Sequence, residues 1–359
     1  MRKECLCRSL WFTAAGLWMM WLPQMVHAGD GVTTWVEDFA DDPIAAGRFE
    51  IPHHHDDSRF SYDATEQRLV VHYDTFEPTA WYVRPLDEAG ELTLGLCDSY
   101  EFSVTFRIRS DGFFADPHQF AQIGWGLINT ETTGDDRAGG EGPAFAFDVV
   151  GFDYYPNVSP FFGGPTLGST LIHSDSGAGF FSAIEFAFGA ESQIDSHLGD
   201  SMIALDTQYT ANVQYDPAGR VLTLRILQGN TPLAINADGG GGPGGPDGDP
   251  TTIQTYLFQD APIEVNAFSL MAWQDTFNPF DSSVIADVEI LQIAFTAMPA
   301  LRADLNFDGV VNGLDVAPFV VALLGGPADA CVAERADLDN DGEVTLEDVT
   351  GFAAALLSE

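Results

Sequence analysis

Tyr100-Glu101-Phe102-Ser103-Val104-Thr105-Phe106-Arg107-Ile108-Arg109 alternates large apolar with polar side chains for ten residues without a miss. Side chains of an extended chain point to opposite faces at every step, so such a run buries one set and wets the other. It predicts a half-buried β-strand. A second signal lies downstream. Residues 211–215 lead into a turn at Asp216-Pro217-Ala218-Gly219, and on the return Leu222, Leu224 and Ile226 alternate with Thr223 and Arg225. That pattern predicts a hairpin with its second strand over 221–227. Further strands are expected at 68–73, 81–84, 119–128, 144–150, 184–188, 265–273 and 284–295, separated by Gly, Pro, Asp and Asn. No stretch before residue 299 sustains a 3.6-residue period with caps. The expectation is one β-sandwich over residues 29–299.

Composition narrows the class. Of the residues, 45% are hydrophobic and only 19% charged, so a real core is available despite a formal net charge of -40. That charge, from 14 Lys+Arg against 54 Asp+Glu, excludes nucleic acid and anionic membrane surfaces as partners, since both need a basic patch. It suits calcium.

The N-terminus reads as an address. Arg2, Lys3 and Arg8 precede an apolar run over 10–22, and Val26-His27-Ala28 fits a small-x-small cleavage site before Gly29. Residues 1–28 are therefore expected to be a signal peptide, giving a secreted (or periplasmic or cell-surface) product with no membrane insertion after cleavage. Cys5 and Cys7 leave with it. Cys97 and Cys331 stay, and in an oxidising compartment they could form one disulfide; their separation leaves open whether they meet. The run Gly239-Gly240-Gly241-Gly242-Pro243-Gly244-Gly245-Pro246 resembles a linker, but too few strands follow it to build a core. It is expected to be a loop of the sandwich, with the domain boundary near Pro299.

Residues 303–324 and 336–357 are one unit repeated at an offset of 33, identical at 12 of 22 positions, too many for unrelated acidic loops. Each copy opens with a 12-position loop of calcium-binding design. Asp304, Asn306, Asp308, the Val310 carbonyl, Asn312 and Asp315 occupy positions 1, 3, 5, 7, 9 and 12 of the first. Asp337, Asp339, Asp341, the Glu343 carbonyl, Thr345 and Asp348 occupy those of the second. Alternate residues turn oxygens inward as the chain wraps a hard cation. Gly309 and Gly342 at position 6 permit the sharp turn, and Val311 and Val344 at position 8 are placed to pack the loops together. A helix is expected after each loop, the first with Val316, Phe319, Val320, Leu323 and Leu324 on its buried face and Gly325-Gly326-Pro327 ending it. The expectation is two calcium ions in residues 300–359.

Those residues resemble a dockerin type I domain. Asp in place of Glu at position 12 and the lack of a helix entering the first loop favour that family over an ordinary EF-hand pair. The resemblance implies a small α-helical calcium domain and a cohesin module as partner. In that family recognition leans on positions 10 and 11, here Gly313 and Leu314, then Leu346 and Glu347, which depart from the usual small hydroxylated residues.

The β region is similar in architecture to the concanavalin A-like lectin/glucanase superfamily, through the hairpin over 209–227 and the last strand with Asp281-Ser282-Ser283 and Asp287-Val288-Glu289. Catalytic members of that fold would carry Glu-x-Asp-x-Glu on one strand, so that period two places all three carboxylates on the concave face. Asp287 and Glu289 give only half of it and read as solvated residues of an edge strand. Asp148 and Asp153, five apart, fall on opposite faces of a regular strand. The aromatic stretches over 152–164 and 273–278 suit a glycan-binding loop or a local mini-core, and Asp148, Asp153 and Asn157 a structural calcium. His53-His54-His55-Asp56-Asp57 reads as a polar loop, because adjacent histidines on extended chain do not converge. The expected product is a secreted calcium-binding protein, a non-catalytic glycan-binding, adhesion or structural module with a dockerin-like domain for assembly. The alternative is a glycoside hydrolase of the same fold acting on polysaccharide.

Overall fold

The computed structural model of the chain describes residues 32–52, 55, 57–110, 122–134, 148–156, 166–172, 184–186, 203–233, 235, 249, 251–256, 263–274, 285–326, 329–339 and 341–358. Its strands are β1 (Thr33–Glu37), β2 (Phe60–Asp63), β3 (Arg68–Asp74), β4 (Ala80–Pro85), β5 (Ser99–Ser110), β6 (Ile123–Ile128), β7 (Val149–Tyr155), β8 (Thr166–Ile172), β9 (Ile184–Phe186), β10 (Gln208–Asp216), β11 (Val221–Gln228), β12 (Thr231–Pro232), β13 (Ile253–Tyr256), β14 (Ala267–Ala272) and β15 (Ile285–Met298). Helices α1 (Val316–Leu323), α2 (Ala330–Ala336) and α3 (Asp348–Leu356) follow.

The alternating stretch is the heart of the first sheet, whose order among the described residues is β12-β11-β10-β5-β15-β3-β2. Phe102, Val104, Phe106 and Ile108 are buried and their alternates are not. Val104 faces Ala211 on β10 and Ile293 on β15, and Phe106 faces Tyr209 and Ile290, so one register aligns apolar residues across three strands. The hairpin of β10 and β11 pairs Tyr215 with Leu222 around the predicted turn. β15 lies inside the sheet: β5 pairs along one side, and β3 and then β1 along the other. Asp287 and Glu289, expected on an edge strand, are therefore central in the sheet.

The second sheet, β4-β14-β6-β7-β8-β9, packs over the first. Every residue of β6 and β14 is buried, so this sheet is covered on both faces. One face joins the main core; the other carries a separate cluster of Trp81, Val83, Ile128, Val149, Ile172, Ala267, Met271 and Trp273. Gly126 marks the tightest strand approach, for a Cβ there would lie 2.2 Å from the Val150 carbonyl.

Of the strand expected at 144–150, residues 144–147 lie outside the described residues, and β7 runs from Val149 through Tyr155. Residues 152–155 of the segment expected as an aromatic loop are therefore sheet. Phe152 and Tyr154 point inward into the core, Phe152 stacking on Trp125 at 4.5 Å. β1, β2, β8, β12 and β13 carry no alternation strong enough to be predicted. Residues 1–31, 157–165, 239–246 and 275–284 lie outside the described residues, among them the expected signal peptide, the glycine tract and Asp281-Ser282-Ser283.

In the C-terminal region the two loops and three helices enclose Ala303, Leu305, Val311, Phe319, Ala322, Ala336 and Phe352, with Val344 partly buried against them. Phe319 and Phe352, equivalent in the two repeats, stack face to face at 4.0 Å. The predicted buried face of α1 is corrected: Phe319 is buried, but Val316, Val320 and Leu324 are exposed, because the small module has no third layer to cover them. Gly325, at φ +67°, ends α1 as predicted.

Candidate functional site: two acidic loops

The loops share one hydrogen-bond wiring. In the first, the Asp308 N–H donates to Asp304 Oδ1 (3.2 Å) and Asn306 Oδ1 (2.9 Å), the Gly309 N–H to Asp304 Oδ2 (3.0 Å) and the Val310 N–H to Asp308 Oδ1 (3.0 Å). In the second, the Asp341 N–H donates to Asp337 Oδ1 (3.2 Å) and Asp339 Oδ1 (3.2 Å), the Gly342 N–H to Asp337 Oδ2 (2.9 Å) and the Glu343 N–H to Asp341 Oδ1 (2.9 Å). Each Asp or Asn bonds the backbone ahead of it, which bends the chain into a ring of oxygens. The turn needs left-handed backbone at position 6, supplied by Gly309 (φ +83°) and Gly342 (φ +90°).

Position 12 closes each ring from inside. Asp315, fully buried, accepts from the N–H groups of Leu305 (2.7 Å), Asn306 (3.0 Å) and Asn312 (2.8 Å). Asp348 accepts from those of Leu338 (2.6 Å), Asp339 (3.2 Å) and Thr345 (2.7 Å). Burial alone raises the Asp348 carboxyl, but these three donors outweigh it and hold it below the usual carboxylate range. Asp304 is held above that range by burial, and Asp339 by burial and by the neighbouring carboxylates of Asp341, Asp348 and Asp337. At position 9, Asn312 Oδ1 and Thr345 Oγ1 take the N–H groups of Leu314 and Glu347.

The donor set is oxygen throughout. Asp337, Asp339 and Asp341 each offer a carboxylate oxygen within 4.8 Å of the others, and they form the tightest acidic group among the described residues. The first loop replaces one of these with Asn306, whose Nδ2 donates to Asp308 (2.9 Å). Carboxylates, backbone carbonyls and an amide or hydroxyl suit a hard cation that takes six to eight oxygens. Of the residues expected at ligand positions, Asp337, Asp339 and Asp341 are brought together in one acidic group.

Two further residues of this region escaped the sequence reading. Arg335 is buried; its Nη1 donates to the Asp304 carbonyl (3.0 Å) and Oδ2 (3.3 Å), and its Nη2 to the Cys97 carbonyl of the sandwich (2.7 Å). Its mate one repeat earlier, Arg302, is exposed and reaches the Asp337 and Leu338 carbonyls at 3.5 Å. Extending the repeat by one residue would have paired them. Around Arg335 the C-terminal region is fastened to the sandwich. A disulfide joins Cys97 to Cys331, with Cα atoms 5.1 Å apart. Asp98 Oδ1 takes the Ala300 N–H (2.5 Å), and Arg220 pairs with Asp329 (2.8 Å).

The carboxylates of the sandwich are engaged elsewhere. Glu289 is not solvated but buried, with Arg68 at 2.5 Å and Arg107 and Arg109 at 3.3 Å. Asp287 meets His72 Nδ1 at 2.6 Å. Asp153 accepts from Gln122 and Thr170, and Asp148 from Thr132. Asn157, which the sequence reading grouped with the last two, lies outside the described residues. Trp273 packs edge-on against Trp81 inside the second cluster. Of the histidine run, His55 is described; its Nδ1 accepts the Trp81 N–H (3.2 Å).

Residues 302–357 match the family model of the dockerin type I domain. No curated protein sequence matches the chain. Among solved structures, the chain is similar to the basic winged bean lectin with Tn-antigen at 11% identity, covering 74% of this chain and 98% of that one with a TM-score of 0.41. It is similar to peanut lectin with a nine-residue peptide at 11% identity, 74% and 97% coverage and a TM-score of 0.39. A legume lectin-like domain from Entamoeba histolytica gives 7% identity, 73% and 95% coverage and a TM-score of 0.39. Among the described residues no helix is long and apolar enough to cross a membrane.

Proposed function

We propose that the chain is a secreted assembly protein: a β-sandwich body carrying a dockerin-type module that folds around two calcium ions. The observation that carries this reading is the duplicated wiring of the two loops, bond for bond, around all-oxygen donor sets. Asp304, Asn306, Asp308, the Val310 carbonyl, Asn312 and Asp315 hold one ion; Asp337, Asp339, Asp341, the Glu343 carbonyl, Thr345 and Asp348 hold the other. Bound calcium neutralises crowded carboxylates and cross-links the two ends of each loop, so its binding free energy becomes folding free energy.

The module exposes Leu314, Val316, Val320 and Leu324 in the first repeat and Leu346 and Leu357 in the second. Leu314 and Leu346 stand at the positions on which dockerin recognition leans, and a cohesin-like module is the partner we assign to this surface. For the sandwich we favour a non-catalytic adhesive or glycan-binding role. In support, Glu289 and Asp287, the half-triplet that the sequence offers, are committed to arginines and a histidine. Glu289 is buried with its oxygens turned to three guanidinium groups, so it is not presented to a substrate as one of a glycosidase pair would be. Export is supported by the signal-like residues 1–28 and by the buried disulfide, which suits an oxidising compartment.

The test is calorimetric titration of calcium-stripped full chain with calcium, followed by hydrogen exchange. Two ions should bind, and protection over 302–357 should appear only with calcium. Asp308→Ala and Asp341→Ala should each remove one ion. The second loop, with four carboxylates against three, should fill first. A chain that takes up no calcium, or whose module is equally protected in chelator, sinks the reading.

A further inference from the structure

The two repeats are wired alike inside but differ in how they meet the rest of the molecule, and Arg335 is the difference. It lies two residues before Asp337, the first ligand position of the second loop, yet its guanidinium crosses to the first loop. There it lies 4.2 Å from the Phe307 ring and holds both the carbonyl and Oδ2 of Asp304. Oδ2 is the oxygen already tied to the Gly309 N–H, so the carboxylate is fixed in plane while Oδ1 carries a single donor, from Asp308. The other arm of the fork ends on the Cys97 carbonyl, and Cys97 is itself bonded to Cys331, four residues before Arg335 on the same helix. Arg302, the repeat mate, is exposed and reaches the Asp337 and Leu338 carbonyls of the second loop.

Resting on the calcium reading above, we propose that Arg335 is a positioning residue that couples calcium affinity of the first loop, and not of the second, to the seating of the module on the sandwich. While the module is seated, the Cys97 carbonyl and the disulfide hold the fork in the one orientation that fixes Asp304. Unseated, the side chain regains its rotamers and Asp304 must be ordered at the expense of calcium binding. Coupling between two binding events is reciprocal, so calcium in the first loop also strengthens the seat and shields the disulfide from reductant. The first loop thereby reports the redox state of the junction.

The experiment uses the full chain in two backgrounds: Asp341→Ala, in which only the first loop binds, and Asp308→Ala, in which only the second does. Calcium is titrated with the disulfide intact, after reduction by dithiothreitol (which gives two electrons and two protons to the S–S bond and leaves as its cyclic disulfide), and with Arg335→Lys. Lysine keeps the charge but not the two-armed fork. In the Asp341→Ala background Arg335→Lys should weaken calcium about five- to tenfold while the disulfide is intact, and by less after reduction, because both cut one tie. In the Asp308→Ala background Arg335→Lys should not matter, and reduction should weaken calcium only by what the lost cross-link costs the folding of the module. Equal weakening of both loops by Arg335→Lys, or an unchanged first loop, overturns the coupling while leaving the calcium reading intact. Failure of either background to bind calcium overturns both. A measurement free of the arginine variant runs in parallel: the rate at which dithiothreitol reduces Cys97–Cys331, followed by alkylation and mass spectrometry. Calcium should slow it more in the Asp341→Ala chain than in the Asp308→Ala chain; equal slowing in the two also refutes the coupling.

Discussion

Replacing both cysteines, Cys97→Ala with Cys331→Ala, removes the cross-link without leaving a free thiol, and its cost follows from chain lengths. The bond spans a sequence separation of 234 residues. In the loop-entropy treatment, closing a ring of that size in the unfolded chain is worth about 5.5 kcal/mol at 25 °C. If the C-terminal module opens while the sandwich stays folded, the ring is shorter, running from the end of β15 at Met298 to Cys331. Roughly 33 residues then give about 3.7 kcal/mol. The native state adds little strain to offset this, since a Cα separation of 5.1 Å falls within the ordinary span for disulfides. Native-state hydrogen exchange in calcium reads the module directly: peptides from 302–357 should open about 4 kcal/mol more easily in the variant. Urea unfolding of the whole chain should lose up to about 5 kcal/mol. A loss below about 1 kcal/mol in both assays would show that the disulfide is incidental and that polar contacts at the junction already hold the module.

Glu289→Ala should cost about 3–5 kcal/mol in urea unfolding, because it strands three guanidinium groups around an emptied site; a cost under about 1 kcal/mol would show that water replaces the carboxylate readily. Gly126→Ala should destabilise the sandwich by about 3 kcal/mol, since the new methyl meets backbone on the paired strand; a variant that melts with the wild type would mean that the two strands separate without penalty.

What could be read from the sequence follows from how local each signal is. β5 and the hairpin were legible because one face of their sheet is partly wet, so period two is written into the residue types. β6 and β14 are buried on both faces and lose the alternation; IGWGLI reads as an apolar run, and only its glycines hint at close strand packing. Phe152-Asp153-Tyr154-Tyr155 looked like a loop because its polar and aromatic residues belong to two covered faces. The two acidic loops are legible in the sequence because each Asp or Asn bonds backbone within its own twelve-residue loop. Arg335 was not, since its partners Asp304 and Cys97 are distant in sequence and no local pattern announces them. The exposed face of α1 was misread for a related reason: periodicity shows which residues are apolar, not whether anything is there to cover them.

The placement of the arginines binds these observations together. In a chain of net charge -40 whose only lysine is Lys3, cations are scarce, and most of the described arginines stand at buried anions and carbonyls. Arg48 and Arg84 meet buried Glu37; Arg59 donates to the His72, Asp74 and Pro78 carbonyls; Arg68, Arg107 and Arg109 surround Glu289; Arg335 spans Asp304 and Cys97. Such tasks need a planar fork with several donors, which an ammonium does not offer. With so many guanidinium groups engaged inside, the surface carboxylates go largely uncompensated, and where they crowd, as at Asp337, Asp339 and Asp341, the neutralising charge must come from solution. A divalent cation is the economical source. On the proposed calcium reading, the scarcity of cations that shapes the sandwich also makes the module depend on metal, and Arg335, which spans Asp304 and Cys97, is the point at which the two dependences meet.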